Sequence, residues 1–181
     1  MGFHLINGSD AEFVTSGHCS DQPSQSKTWY QPSPSASSKI YLGLQQSQLY
    51  PGNSVDMQRI ELPNNQKSKY IFGEPGKLVY GRSNPSTGAL VYGSLGHSFA
   101  VRSGTVYTAW GTYTAEGHDL LGTNVHQLVT GGGDSGSPLY YRSCCDRLYA
   151  LAVYSAGGSV DRWWARIIDG VVRWPGWDIY N

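Results

Sequence analysis

Short runs of apolar and β-branched residues recur along this chain about every ten residues, and glycine-rich breaks separate most of them. That spacing leaves little room for helices and favours many short strands joined by tight turns, as in a sandwich or barrel. Such runs occupy Ile40–Leu44, Val55–Leu62, Leu78–Tyr80, Ala89–Tyr92, Phe99–Arg102, Thr105–Trp110, Pro138–Tyr141 and Leu148–Tyr154. The 23 glycines and 13 tyrosines, against two methionines in 181 residues, point the same way. Residues 3–6 and 11–15 read as a hairpin about Asn7-Gly8, a preferred tight-turn dipeptide. Residues 20–38, rich in Ser, Gln and Pro, read as a surface loop. Helical spacing occurs over residues 165–173, where Ile167, Ile168, Val171 and Val172 share one side. No internal repeat or linker divides the chain.

Composition excludes several functions. The 13 basic residues balance 13 acidic ones, and charged residues are 14% of the total, so no electrostatic footprint for nucleic acid is present. No apolar run approaches the roughly 18 residues that cross a bilayer, so no membrane role is expected. Met1-Gly2 fails the myristoylation pattern because Ile6 stands where Ser or Thr is required. The three cysteines, Cys19, Cys144 and Cys145, cannot all pair internally, and adjacent cysteines make a strained bridge. Neither a C-x-x-C nor an H-x-x-x-H spacing exists, so neither a metal nor a cofactor is expected.

The run Gly133-Asp134-Ser135-Gly136-Ser137-Pro138 offers a serine in a glycine turn, with His18 upstream in Thr15-Ser16-Gly17-His18-Cys19 and Asp56 between them. A serine hydroxyl becomes a useful nucleophile when an imidazole takes its proton and a buried carboxylate orients that imidazole. None of the five histidines follows Ser135. That excludes the Ser, acid, His order of α/β-hydrolases, whose nucleophile turn also needs glycine where Ser137 stands. A subtilisin order would need a carboxylate before His18, and Asp10 and Glu12 sit too close, in the hairpin leading to it. The His, acid, Ser order remains, its members 38 and 79 positions apart.

With these motifs in place, most of the chain resembles trypsin-like serine endopeptidases, and among them the bacterial streptogrisin and alpha-lytic type. Thr15–Cys19 is similar to the histidine-loop motif, Tyr50-Pro51-Gly52-Asn53 to the segment leading to the acid, and Gly133–Pro138 to the nucleophile motif. The resemblance implies an all-β fold of two packed antiparallel Greek-key β-barrels, with the active site in the cleft between them and a short C-terminal helix. Residues 1–75 would form the barrel carrying His18 and Asp56, and residues 76–181 the barrel carrying Ser135. His18, Asp56 and Ser135 would be catalytic, with the backbone N–H groups of Gly133 and Ser135 as the oxyanion hole. The substrate would be a polypeptide, and the enzyme would be secreted. Asn7-Gly8-Ser9 would be a glycosylation sequon there, although the turn already explains Asn-Gly.

The resemblance also raises demands. Asp134 pairs with a new amino terminus in trypsin, but here no Ile-Val-Gly-Gly start exists, so Arg82 or Arg102 is expected to serve. Ser155-Ala156-Gly157 resembles the strand that pairs with extended substrate. Val129 occupies the position, six before the nucleophile, that is Asp in trypsin, and with Thr130 it would line the specificity pocket. Trp164-Ala165-Arg166-Ile167 resembles the last strand of the pocket wall. That places Arg162 and Tyr154 near the pocket, where Arg162 would accept an acidic side chain or simply stack on its tryptophan neighbours. His18 comes early, so the first strand of its barrel has no counterpart, and a propeptide or another segment is expected to supply it. An inactive binding module on the same scaffold is the competing function.

Overall fold

The computed structural model describes residues 2–19, 28–31, 37–38, 40–63, 66–157 and 161–181. Its strands are β1 (His4–Asn7), β2 (Asp10–Thr15), β3 (Thr28–Gln31), β4 (Ile40–Gln48), β5 (Gln58–Glu61), β6 (Leu78–Arg82) and β7 (Leu90–Leu95), then β8 (Ala100–Ala115), β9 (His118–His126), β10 (Pro138–Arg142), β11 (Arg147–Gly157), β12 (Arg162–Arg166) and β13 (Asp178–Ile179). A helix, α1 (Ile167–Val171), follows β12. Six strands form one sheet in the order β13-β1-β2-β5-β4-β3, and seven form another in the order β10-β7-β8-β9-β12-β11-β6. The second closes into a ring because β10 also pairs with β11. The expected all-β class with a short C-terminal helix is the observed one.

Several details differ from the sequence expectation. Residues 99–110 were expected as two strands, but β8 runs through Ser103 and Gly104, which pair with Tyr92 and Val91. A Cβ on Gly104 would stand 2.5 Å from the His126 carbonyl oxygen, so this glycine admits a close backbone approach rather than a turn. Strand β9 was not foreseen, because its polar residues interrupt any apolar alternation; it forms by pairing with β8 on one side and β12 on the other. Strand β3 lies inside the expected loop 20–38 and pairs with β4, while residues 20–27 and 32–36 of that loop lie outside the described residues. Helix α1 is shorter than residues 165–173 because Ala165 and Arg166 pair with β11, and Pro175 follows closely.

The edge of β1, where a first strand was expected to be missing, is taken from the chain's own C-terminus. Leu5 pairs with Ile179 and Ile6 with Asp178, and Tyr180 N–H donates to the His4 carbonyl at 2.9 Å. The boundary expected at 75/76 is therefore crossed once, by β13. Among the described residues, apolar side chains gather in three clusters. Phe13, Ile60 and Leu62 pack within the first sheet, and Val91, Val125, Leu139 and Trp164 fill the second. The largest cluster takes Leu5 and Val14 from the first sheet, Tyr140 and Val153 from the second, Met57 from the segment before β5 and Ile167 from α1, so it glues the two sheets together.

That shared cluster positions the site. β2 and β5 are antiparallel with Thr15 opposite Gln58, so the turn after β2 and the segment before β5 emerge side by side. Those segments carry His18 and Asp56. Ile179 is 2% exposed within the shared cluster. Ile179→Ala should therefore lower unfolding free energy by about 2–5 kcal/mol in a denaturant titration; a loss under about 0.5 kcal/mol would show that β13 does not hold the sheets together.

Candidate active site

The three residues singled out from the sequence meet in space. His18 lies in a short 3-10 turn, Gly17–Cys19, directly after β2. Its backbone N–H donates to Asp56 Oδ1 at 2.8 Å, and its Nδ1 lies 2.7 Å from Oδ2. The other ring nitrogen, Nε2, lies 2.9 Å from Ser135 Oγ. Asp56 is 1% exposed, and its Oδ2 also accepts from the Ser155 hydroxyl, which in turn accepts from the Tyr113 hydroxyl. One chain of polar contacts thus runs from Tyr113 through Ser155, Asp56 and His18 to Ser135. Burial alone would lower the His18 pKa, but the Asp56 hydrogen bond, then the Cys19 thiol and the Asp56 charge, outweigh it and raise the imidazole pKa.

The turn that holds His18 is braced by side chains the sequence reading missed. Gln48 Nε2 donates to the Gly17 carbonyl at 2.7 Å, and Gln58 Nε2 to the Ser16 carbonyl at 2.6 Å. Ser16 Oγ donates to the Tyr154 carbonyl on β11, tying the two sheets at the site. Tyr113, on β8, was likewise missed. Nothing local marks these residues, because each acts through a partner at least 30 positions away.

The Ser135 loop is fixed from both ends. Gly136 N–H donates to the Tyr154 carbonyl at 2.9 Å, and Tyr154 N–H donates to the Ser137 carbonyl at 2.8 Å. Gly136 has φ +80°, and a Cβ there would stand 1.9 Å from Thr15 Oγ1, so no other residue fits. Gly133 has φ +91° and lies against the His97 ring. The N–H groups of Asp134, Gly136 and Ser137 are bonded to carbonyls. Among the described residues, those of Gly133 and Ser135 donate to none.

Asp134 does not take the expected arginine. Its carboxylate is 1% exposed and accepts from His97 N–H and Gly131 N–H, each at 2.9 Å. Arg82 pairs instead with Asp178, and among the described residues Arg102 has no carboxylate partner. Two backbone N–H groups satisfy a carboxylate without desolvating a guanidinium, so the demand is met within the loop and by the β7–β8 turn that bears His97.

The residues expected on the substrate side divide. Ser155, Ala156 and Gly157 end β11, and Ser155 is part of the polar chain already described. Val129 is 66% exposed, next to the fully buried Leu128. Thr130 Oγ1 is buried with no partner among the described residues. Arg162 faces Gly157 across the β11–β12 pairing and is 8% exposed, so it does not stack on the surface. Beside His18, Tyr50, Leu120 and Ala156 line a cavity of about 70 Å³.

This architecture is the double β-barrel of the chymotrypsin-type serine proteases. A glutamic-acid-specific serine protease superposes with TM-score 0.76 at 19% identity, covering 98% of this chain and 91% of its own. Thermobifida fusca protease A gives 0.74 at 21% identity, over 100% and 90% of the two chains. Alpha-lytic protease homolog N4 gives 0.77 at 16%, over 99% and 91%. At these identities the fold is what is shared. No family model and no curated protein sequence matches the chain.

Asp134→Ala leaves two N–H groups without an acceptor and should cost about 2–4 kcal/mol in unfolding free energy. Arg82→Gln and Arg102→Gln should each stay within about 1 kcal/mol in the same titration. A larger effect of either arginine than of Asp134 would contradict this pairing.

Proposed function

We propose that the chain is a serine endopeptidase that hydrolyses peptide bonds through Ser135, His18 and Asp56. The observation that carries this reading is the unbroken hydrogen-bonded line from Asp56 through both nitrogens of His18 to Ser135 Oγ. Ser135 Oγ attacks the peptide carbonyl carbon while its proton passes to His18 Nε2. The carbonyl oxygen, now negative, is received by the N–H groups of Gly133 and Ser135. Collapse of this intermediate breaks the C–N bond, and the departing amine takes the proton from His18, leaving an ester on Ser135. A water molecule, deprotonated by His18, then hydrolyses the ester and frees the serine. Asp56 keeps Nδ1 protonated and stabilises the imidazolium at each proton transfer.

Substrate backbone would pair with Ser155–Gly157, at the free end of β11. In this reading His18 and Asp56 are contributed by residues 1–75 and Ser135 by residues 76–181. Oxyanion stabilisation here rests on two backbone donors, and losing one such donor in a comparable site costs about 10²–10³ in kcat.

Two measurements test the reading. A neutral organophosphonate should label Ser135 stoichiometrically, and Ser135→Ala should abolish both labelling and peptide hydrolysis; a folded protein that resists labelling would make it a binding module. For pH, His18 must be neutral to accept the serine proton. Because its pKa is raised, kcat/KM should climb through a midpoint above the ordinary imidazole value of about 6.5. Asp56→Asn should move that midpoint down and reduce kcat about 10⁴-fold. A midpoint that stays in place in this variant would separate His18 from Asp56.

A further inference from the structure

Among the described residues six charged side chains are less than a tenth exposed: Glu12, Asp56, Glu74, Asp134, Arg162 and Asp169. Five are satisfied. Arg59 meets Glu12 at 3.1 Å; Lys77, Arg142 and Tyr140 meet Glu74; Arg166 meets Asp169 at 2.7 Å. Asp56 and Asp134 have the donors described above. Arg162 alone has neither an ion pair nor a hydrogen bond within the described residues, and its buried Nε bonds to nothing. The undescribed neighbours at 158–160 are Gly, Ser and Val, which bring no carboxylate. The adjacent Asp161 is 63% exposed and turns instead to His126, at 3.3 Å, and Asn124, at 3.4 Å.

The position of this cation gives it a use. Tyr154 is hydrogen-bonded in both directions to the Ser135 loop, Ser155 bonds to Asp56, and Gly157 lies two residues further along β11, opposite Arg162 in register. A Cβ on Gly157 would stand 2.8 Å from the Tyr154 hydroxyl and 3.0 Å from Arg162 Cδ. The missing side chain at Gly157 therefore admits the arginine stem on the face that Tyr154 also borders. Two strand residues span about 7 Å, so Arg162 lies within side-chain reach of a peptide held on β11 with its carbonyl at Ser135.

We propose that Arg162 is a specificity-determining residue, and that it selects substrates with an acidic side chain on the residue whose carbonyl Ser135 attacks. This rests on the endopeptidase reading of the site. A guanidinium has five donors in a rigid fork that matches a carboxylate bidentately. Among the described residues that fork has no carboxylate, and an unpaired buried charge is costly. An incoming aspartate or glutamate removes that cost, whereas a neutral side chain buries the cation further without pairing it, and lysine adds like-charge repulsion.

The test compares kcat/KM for matched peptides with Glu, Asp, Gln, Leu or Lys at that position, in the unaltered protein, Arg162→Gln and Arg162→Lys. Acidic peptides should exceed Gln and Leu peptides by on the order of 10²-fold. Arg162→Gln should abolish the preference by slowing the acidic peptides, and Arg162→Lys should keep part of it. Equal cleavage of Leu and Glu peptides by the unaltered protein, or an acid preference that survives Arg162→Gln, would overturn the proposal. Organophosphonate labelling of Ser135 reports separately on the catalytic reading and on the folding of each variant. Should labelling fail, calorimetry with peptides ending in Glu or Gln still decides: tighter binding of the Glu peptide that Arg162→Gln removes supports the acid pocket, and equal binding refutes it.

Discussion

The buried carboxylate of Asp56 is the constraint on which the rest of the site depends. An ionised group 1% exposed persists only when its lone pairs are met. Here the donors come from the His18 backbone, the His18 ring and the Ser155 hydroxyl, the last backed by Tyr113. These groups sit on the turn after β2, on β11 and on β8, so satisfying one carboxylate requires both sheets to be in place. The same requirement aims the imidazole. With Nδ1 held by Asp56, Nε2 faces Ser135, and tautomer and direction follow from a single burial.

Order along the chain made this much legible early. Ser135 with no histidine after it, and Ser137 where an α/β-hydrolase turn needs glycine, left one arrangement of three residues. The structure brings those three within hydrogen-bonding distance. Short strands and glycine turns were legible too, because turn chemistry is local: the β1–β2 hairpin forms at Asn7-Gly8, shifted by one residue so that Asn7 pairs with Asp10 and Gly8-Ser9 make the turn. What escaped was long-range. β9 carries no alternation that separates it from a loop, and β13 is two residues that matter only because β1 offers an open edge. Gln48, Gln58 and Tyr113 act on the site across distances in sequence that no motif records.

Asp134 shows how a correct demand can be met by an unforeseen supplier. A carboxylate beside Ser135 needed donors, and charged side chains were the visible candidates. Backbone N–H groups are present at nearly every residue and so leave no sequence signal, yet two of them suffice once the β7–β8 turn brings His97 against Gly133. The arrangement also links the position of that turn to the backbone angle at Gly133, whose N–H is one of the two donors in the proposed oxyanion hole.

Asp56 and Arg162 are the opposite cases of one rule. Low dielectric strengthens a paired charge and penalises an unpaired one, so a folded chain pairs what it buries. Asp56, Asp134, Glu12, Glu74 and Asp169 follow that rule with partners from the chain itself. Arg162 departs from it among the described residues, although an aspartate stands beside it in sequence and turns elsewhere. A stable fold gains nothing from such a cation, since an apolar side chain against Gly157 and Tyr154 would bury as much surface without the desolvation cost. The departure is accounted for when the missing anion is supplied by the substrate, because the cost carried in the free protein then returns as preference for one class of peptide.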